Sequence, residues 1–341
     1  MTPVTSVLIV DDEPAVRDLM ARWVTALGLQ PRTAANADEA LATLRTQQYD
    51  LVVIDVMMPG HDGLWLAAEM RRDHPQTAVV IATAYTELLP SDGDGGARPI
   101  ADLLIKPFQR DRFTLAVNRG RQWRKEALDE LRWHAVLSIE VRDRTEQICA
   151  LVRARVATGS SEEDALAAFS AERISDAAAH GDRVARFAQA IARELNAPGT
   201  DGNALAIAAR FHDVGKAALP DALITKPSPL TQGENAIVQQ HVEVGARILE
   251  AAETLSHAAP AVRASHEWFG GGGYPKHLSG DEIPIVSRII AVADAYDAMT
   301  QNRSYRARFS SADAIAELLR CSPTQFDPQV VGAFLAVLGR H

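Results

Sequence analysis

The chain is predicted to fold as two unlike parts. A doubly wound α/β domain with a five-stranded parallel sheet comes first, and a long connecting helix then leads into an all-α bundle. Three observations predict this. Four short apolar runs alternate with helical patterns over the first 120 residues, a charged stretch without proline follows, and helical periodicity then continues to the C-terminus.

The four runs are SVLIV (6–10), DLVVI (50–54), AVVIA (78–82) and DLLIK (102–106). Each is short and apolar through its interior, as a strand buried on both faces requires. PRTAA (31–35) is a weaker fifth strand. Between them EPAVRDLMARWVTAL, ADEALATLRTQ and GLWLAAEMRRD carry apolar residues at helical spacing. The segment ELLPSDGDGGARPIAD (87–102) fails that pattern, so any helix there is expected to be short or distorted.

From Phe113 to about Val156, Leu128, Leu131, Ala135 and Ile139 recur at three- and four-residue steps. That pattern fits either a self-associating helix, and so a homodimer, or a helix packed on its own domain. TGSSEED (158–164) ends it, and Ser160 with Glu163 has capping-box spacing for the next helix. The expected divisions are 1–121, a linker over 122–171, and 172–341.

Composition excludes several classes. A net charge of −9 without a Lys/Arg run argues against DNA binding, so an anionic ligand must be held by locally placed cations. Two distant cysteines, Cys149 and Cys321, make no disulfide framework and suit a reducing compartment. No apolar run approaches the roughly 20 residues of a membrane span, and the N-terminus does not read as a signal peptide. A cytoplasmic protein without membrane insertion is expected.

Strand 6–10 ends in Asp11 and Asp12, and strand 50–54 ends in Asp55. In an open α/β sheet, ligands bind outside the carboxyl ends of the strands, where these acids converge. Clustered carboxylates repel unless a hard cation neutralises them, which suits Mg2+. Thr83 and Lys106 end the next two strands, and a hydroxyl and an ammonium there can hold phosphoryl oxygens. On these residues the chain resembles the receiver domain of two-component response regulators over about 5–121. The resemblance implies that Asp55 accepts a phosphoryl group from a cognate sensor histidine kinase. It also implies that Asp11 and Asp12 hold Mg2+ and that Thr83 and Lys106 complete the switch. Receivers usually carry an aromatic residue three positions before the lysine; here it is Leu103.

The helical half spaces imidazoles and acids informatively: DAAAH (176–180), FHDVGK (211–216), QQH (239–241), SHEW (265–268) and VADAYDAMT (292–300). Asp176 and His180 are four apart, on one helical face. His212 and Asp213, if helical, point about 100° apart, so a second helix must complete any site they share. His241, His266 and Asp294 are available. Imidazole and carboxylate donors without thiolate suit iron, manganese or zinc better than calcium. More donors than one ion needs suggest a two-metal centre with Asp213 as its bridge. Lys216 is placed to neutralise a phosphate oxygen, and Arg303 and Arg306 supply local positive charge.

FHDVGK, KPSPLT, HVEVGARIL, GYP, VADAYDAMT and NRSYR fall in one order. By that run the second half resembles the HD-GYP family of metal-dependent cyclic di-GMP phosphodiesterases, over about 172–339. The resemblance implies hydroxide attack on a 3′–5′ phosphodiester at a multi-metal site, with iron or manganese as the ions and diguanylate cyclases (GGDEF proteins) as further partners. Carried over by position, His180, His212, Asp213, His241, His266 and Asp294 are ligands, and Asp176 stands where some members have a glutamate. Lys216 aids catalysis, while Gly273, Tyr274, Arg303 and Arg306 meet substrate. Members usually show His-His-Glu where this chain has Ser265-His266-Glu267, and Asp-Gly-Ser-Gly where it has Gly270 to Gly273. A lost imidazole favours two metals and reduced activity. Two other readings stay open: a phosphorylation-controlled binding module with a vestigial site, and a hydrolase of another cyclic dinucleotide.

Overall fold

A strand with alternating neighbours must bury both faces, and the N-terminal strands do so in a computed structural model. It describes residues 5–84, 100–174, 176–197, 202–301 and 308–340. The chain forms two compact units, Met1–Trp133 and His134–His341.

In the first unit the strands are β1 (Ser6–Val10), β2 (Gln30–Ala34), β3 (Leu51–Asp55), β4 (Ala78–Thr83) and β5 (Asp102–Ile105). All pair in parallel, in the order β2-β1-β3-β4-β5. The weak fifth strand is real and begins one residue earlier than expected. Period-two geometry splits the apolar residues between two cores. Leu8, Val10, Val52, Ile54, Val79 and Ile81 face one way, toward α2 (Ala37–Thr46) and α3 (Gly63–Asp73). Val7, Ile9, Leu51, Val53, Val80 and Leu104 face the other, toward α1 (Pro14–Ala26) and the first turns of α4 (Arg110–Ala157). The segment expected to resist helix formation lies mostly outside the described residues. Asp102, at the start of β5, takes a bidentate pair from Arg112 at 2.7 and 3.0 Å, a third bond from Arg119 at 3.2 Å, and the Leu103 amide at 2.9 Å.

The second unit is helical. From its N-terminal end it holds the rest of α4, α5 (Glu162–Arg173), α6 (Ala177–Leu195), α7 (Gly202–Phe211) and a 3-10 turn (Val214–Ala218). Then come α8 (Asp221–Ile224), α9 (Gln232–Gln239), α10 (His241–Glu250), α11 (Ala259–Arg263), α12 (Ile285–Thr300), α13 (Ser311–Arg320) and α14 (Pro328–Leu338). The proline-free stretch is helical as expected, and its second half belongs to this core. Leu137, Val141, Ile148, Cys149 and Val152 are buried against residues of α5, α6 and α10. Arg144 donates to the Leu219 carbonyl at 2.8 Å and pairs with Asp221, which Arg173 also holds at 2.8 Å. The cap of α5 differs from expectation by one residue: Ser161, not Ser160, accepts from the Asp164 amide at 3.0 Å. With that register Glu162 turns away and accepts from the Glu253 and Thr254 amides. Among the described residues no helix is long and apolar enough to cross a membrane.

Candidate metal and phosphoryl-transfer sites

At the C-terminal edge of the sheet, β1 delivers Asp11 and Asp12 and β3 delivers Asp55; their oxygens lie within 4.8 Å of one another. Lys106, just past β5, puts its ammonium 2.8 Å from Asp11 and 2.9 Å from Asp55. Its amide donates to the carbonyl of buried Thr83 at 2.8 Å, which joins the last two strand ends. Burial raises the Asp55 carboxyl above the usual range, and Lys106 opposes that rise without cancelling it. Burial works against charge on Lys106 as well, but the two carboxylates outweigh it and hold the ammonium protonated. A buried acid beside an ammonium at the sheet's open edge can act as a nucleophile toward phosphorus.

The helical unit brings six of its predicted donors into two groups: His180, His212 and Asp294, and Asp213, His241 and His266. Asp213 lies between them. Its Oδ2 is 3.6 Å from His212 Nε2 and 4.0 Å from His180 Nε2, while its Oδ1 is 3.6 Å from His241 Nε2. His212 and Asp213 are not on a helix, contrary to expectation. They occupy the turn after α7, and Asp213 caps the 3-10 turn. That turn has about three residues per revolution, so Lys216 falls directly over Asp213, with its ammonium 2.6 Å from Oδ2. Gly215 makes the seating possible, because a Cβ there would sit 1.9 Å from the His241 carbonyl oxygen. No side chain is tolerated where the 3-10 turn meets α10, and the contact brings Asp213 to His241.

Each well-anchored imidazole points the same nitrogen inward. Nδ1 of His212 meets the Ala209 carbonyl at 2.8 Å, and Nδ1 of His241 meets the Val238 carbonyl at 2.9 Å. Their Nε2 atoms, with Nε2 of His266 and Oδ1 of Asp213, are buried and have no hydrogen-bond partner among the described residues. Four orphaned donor atoms converging in one interior cost several kcal/mol unless a cation takes them up, so these residues fit divalent metal. The electrostatics separate the two groups. Burial pushes His241 down to about 3 and lowers His266, so both stay neutral as ligands must. Burial also opposes charge on His180, yet Asp294 and Asp297 raise it to about 9. Asp213 and Asp294 are held well below the carboxylate range, against burial, by the cations and imidazoles around them.

Asp176 is not part of either group. It precedes α6 in a left-handed conformation, φ 61°, so the expected shared face with His180 does not exist; its exposed carboxylate pairs with Arg183 at 3.2 Å. Ser265 is buried and donates its hydroxyl back to the Val262 carbonyl at 2.8 Å, away from the donor cluster. Glu267 is buried too and accepts from the Lys276 and Leu278 amides, so it shapes the loop. In that loop a Cβ on Gly273 would lie 2.2 Å from the Trp268 amide nitrogen. The bare backbone lets the Tyr274 amide reach the His266 carbonyl at 3.1 Å, and the phenol ring stacks on His266 at 5.2 Å and 6°. Gly270 presses on Thr324, where a Cβ would meet its carbonyl at 2.8 Å. Arg303 and Arg306 lie outside the described residues.

Sequence reasoning missed Asp297. It is 1% exposed and touches His180 Nδ1 at 2.7 Å. An acid three residues past a ligand, inside an otherwise apolar helix, was the available signal.

The model of the response regulator receiver domain matches residues 7–118, and that of the HD domain matches residues 163–330. The chain is a response regulator with an HD output domain. A cyclic di-GMP phosphodiesterase of Thermotoga maritima is 29% identical over 341 residues, covering 97% of this regulator and 89% of the relative. The cyclic di-GMP phosphodiesterase response regulator RpfG of Xanthomonas campestris pv. campestris is 27% identical over 345 residues, covering 97% and 87%. A 3′3′-cGAMP-specific phosphodiesterase 2 of Vibrio cholerae is 37% identical across 159 residues, 46% of this regulator and 30% of the relative.

Proposed function

We propose that this response regulator hydrolyses a 3′–5′ phosphodiester of cyclic di-GMP in its HD domain, under the control of Asp55 phosphorylation by a sensor histidine kinase. The observation that carries the reading is the pair of three-donor groups sharing Asp213, with inward Nε2 atoms left without partners. His180, His212 and Asp294 would hold one divalent ion, Asp213, His241 and His266 a second, and Asp213 would bridge. The donor set favours manganese or iron. Such ions supply Lewis acidity and charge neutralisation at the scissile phosphate. Lys216, held over Asp213, adds a cation beside that phosphate. Tyr274, fixed against His266 by the glycine loop, offers a flat face for a guanine base. In the receiver, Asp11 and Asp12 would bind Mg2+, and Lys106 would pair with the phosphoryl oxygens on Asp55. Leu131, Val136 and Ile139 are exposed on α4, which supports self-association through that helix as the relay.

The decisive experiment counts bound metals and measures cyclic di-GMP turnover by purified wild type and His212→Ala. Wild type should carry divalent metal and release linear dinucleotide or GMP, and the variant neither. Equal turnover in both would remove the catalytic assignment.

One observation favours a second reading, a phosphorylation-controlled binding module: Ser265 spends its hydroxyl on its own backbone and adds no donor to the cluster. Absence of product with every divalent metal tried would select that reading. The likeness to a cGAMP-specific enzyme makes the hybrid cyclic dinucleotide the substrate to run alongside.

A further inference from the structure

Asp297 is the acid left over once the ligands are assigned. It lies three residues beyond Asp294 on α12, on the same helical face. Its Oδ2 is 2.7 Å from His180 Nδ1, and Arg183 donates to Oδ1 from Nε at 2.7 Å and to Oδ2 from its terminal nitrogen at 3.1 Å. On the other edge of the same ring, Asp294 Oδ1 is 3.3 Å from Nε2. One helix thus grips both nitrogens of a single imidazole.

His212 and His241 are anchored differently, and the reason is local. Ala209 and Val238, their acceptors, stand in the last turns of α7 and α9, where carbonyls are freer to accept from a side chain than in a helix interior. His180 stands in the first turn of α6. Carbonyls there accept from the helix's own amides, so the ring needs an acceptor from elsewhere. A carboxylate is also a stronger acceptor than a carbonyl, and a ring bonded to one is a more basic ligand.

We propose that Asp297 is a positioning residue: it fixes His180 with its proton on Nδ1 and aims Nε2 at Asp294 and Asp213, and Arg183 locks Asp297 in turn. The inference rests on reading the helical unit as a metal centre and deepens it, because it makes the two groups unequal. Only the His180–His212–Asp294 group depends on Asp297.

The test is Mn2+ titration of the full-length protein, with free Mn2+ followed by electron paramagnetic resonance. Wild type, Asp297→Asn, Asp297→Ala and His241→Ala are compared, each with a metal-free thermal melt. His241→Ala removes one binding step and so assigns the two. Asp297→Ala should weaken the other step roughly 10- to 100-fold and leave the His241-dependent step unchanged. Asp297→Asn should fall between, since an amide oxygen still accepts from Nδ1 but carries no charge; it decides the matter if the alanine variant does not fold. Equal weakening of both steps, or wild-type Mn2+ binding by Asp297→Asn, would overturn the proposal. A wild type that binds Mn2+ in two steps but hydrolyses nothing would sink the proposed activity and leave this inference standing. An active wild type whose Asp297→Asn variant binds Mn2+ identically would do the reverse.

Discussion

The receiver and the HD domain both gather carboxylates where a cation could be held, but they assemble the group by opposite means. In the receiver, three acids sit at the ends of β1 and β3, and hydrogen-bonded neighbours in a sheet place them together automatically. In the HD domain the donors span residues 180 to 294 and come from α6, the turn after α7, α10, the segment after α11, and α12. No ladder sets their spacing, so side-chain packing and backbone contacts such as Gly215 on α10 must do it. The chemistry differs accordingly. The receiver's oxygens already share a lysine, as suits a transient ion and a transient phosphoryl group. The HD donors point unsatisfied nitrogens at one another, as suits resident metal.

The contrast can be broken most severely at its two shared carboxylates. Asp213→Asn should abolish dinucleotide hydrolysis and the tight binding of both ions, measured by metal analysis after dialysis, while the receiver still takes up a phosphoryl group from a small-molecule donor. Asp55→Asn should do the converse, giving no phosphorylated species on a phosphate-affinity gel and unchanged metal content. An Asp55→Asn protein that dimerises and hydrolyses like phosphorylated wild type would separate the two sites altogether.

A smaller effect is expected at the loop. Gly273→Ala puts a methyl group into the Trp268 amide and the His266 carbonyl. It should cost about 1–3 kcal/mol of overpacking strain, seen as a lowered melting temperature. Turnover should fall further than that, because the displaced segment carries both a ligand and Tyr274.

The smallest lies at Asp102. Burial opposes its charge, yet Arg112, Arg119 and the Leu103 amide hold its pKa below the ordinary value. A folded-state pKa below the unfolded one contributes stability that is complete above the unfolded pKa of about 4 and is lost as pH falls through the folded value. Asp102→Asn should therefore flatten the acid side of the receiver's stability curve. Urea denaturation between pH 3 and 7 measures it; an unchanged acid slope would show that the pair adds nothing.

Most of the receiver was legible because four of its five strands read as apolar runs, and the candidate acids, hydroxyl and lysine stand at or just past their ends. The sheet and the long helix follow from residue type and spacing, and six of the candidate donors do come together in two groups. What escaped depended on where helices begin and end. Asp176 looked like a helical neighbour of His180 but stands before the helix in a left-handed turn. His212 and Asp213 looked helical but lie past the end of one. Asp297 was passed over, although α12 buries it. The turn of Ser265 back to Val262 needed coordinates.

The second half of α4 sets a practical limit on dissecting this protein. A cut where the HD match begins, at residue 163, would remove Leu137, Val141, Ile148, Cys149 and Val152 from the core they fill. It would also remove Arg144 from the Leu219 carbonyl, three residues past Lys216. Such a fragment would carry an apolar trough along its flank and a loosened segment behind Lys216. A transplantable output module has to begin upstream of Leu137, so any chimera with a foreign sensor must be spliced within a helix, with its heptad phase preserved.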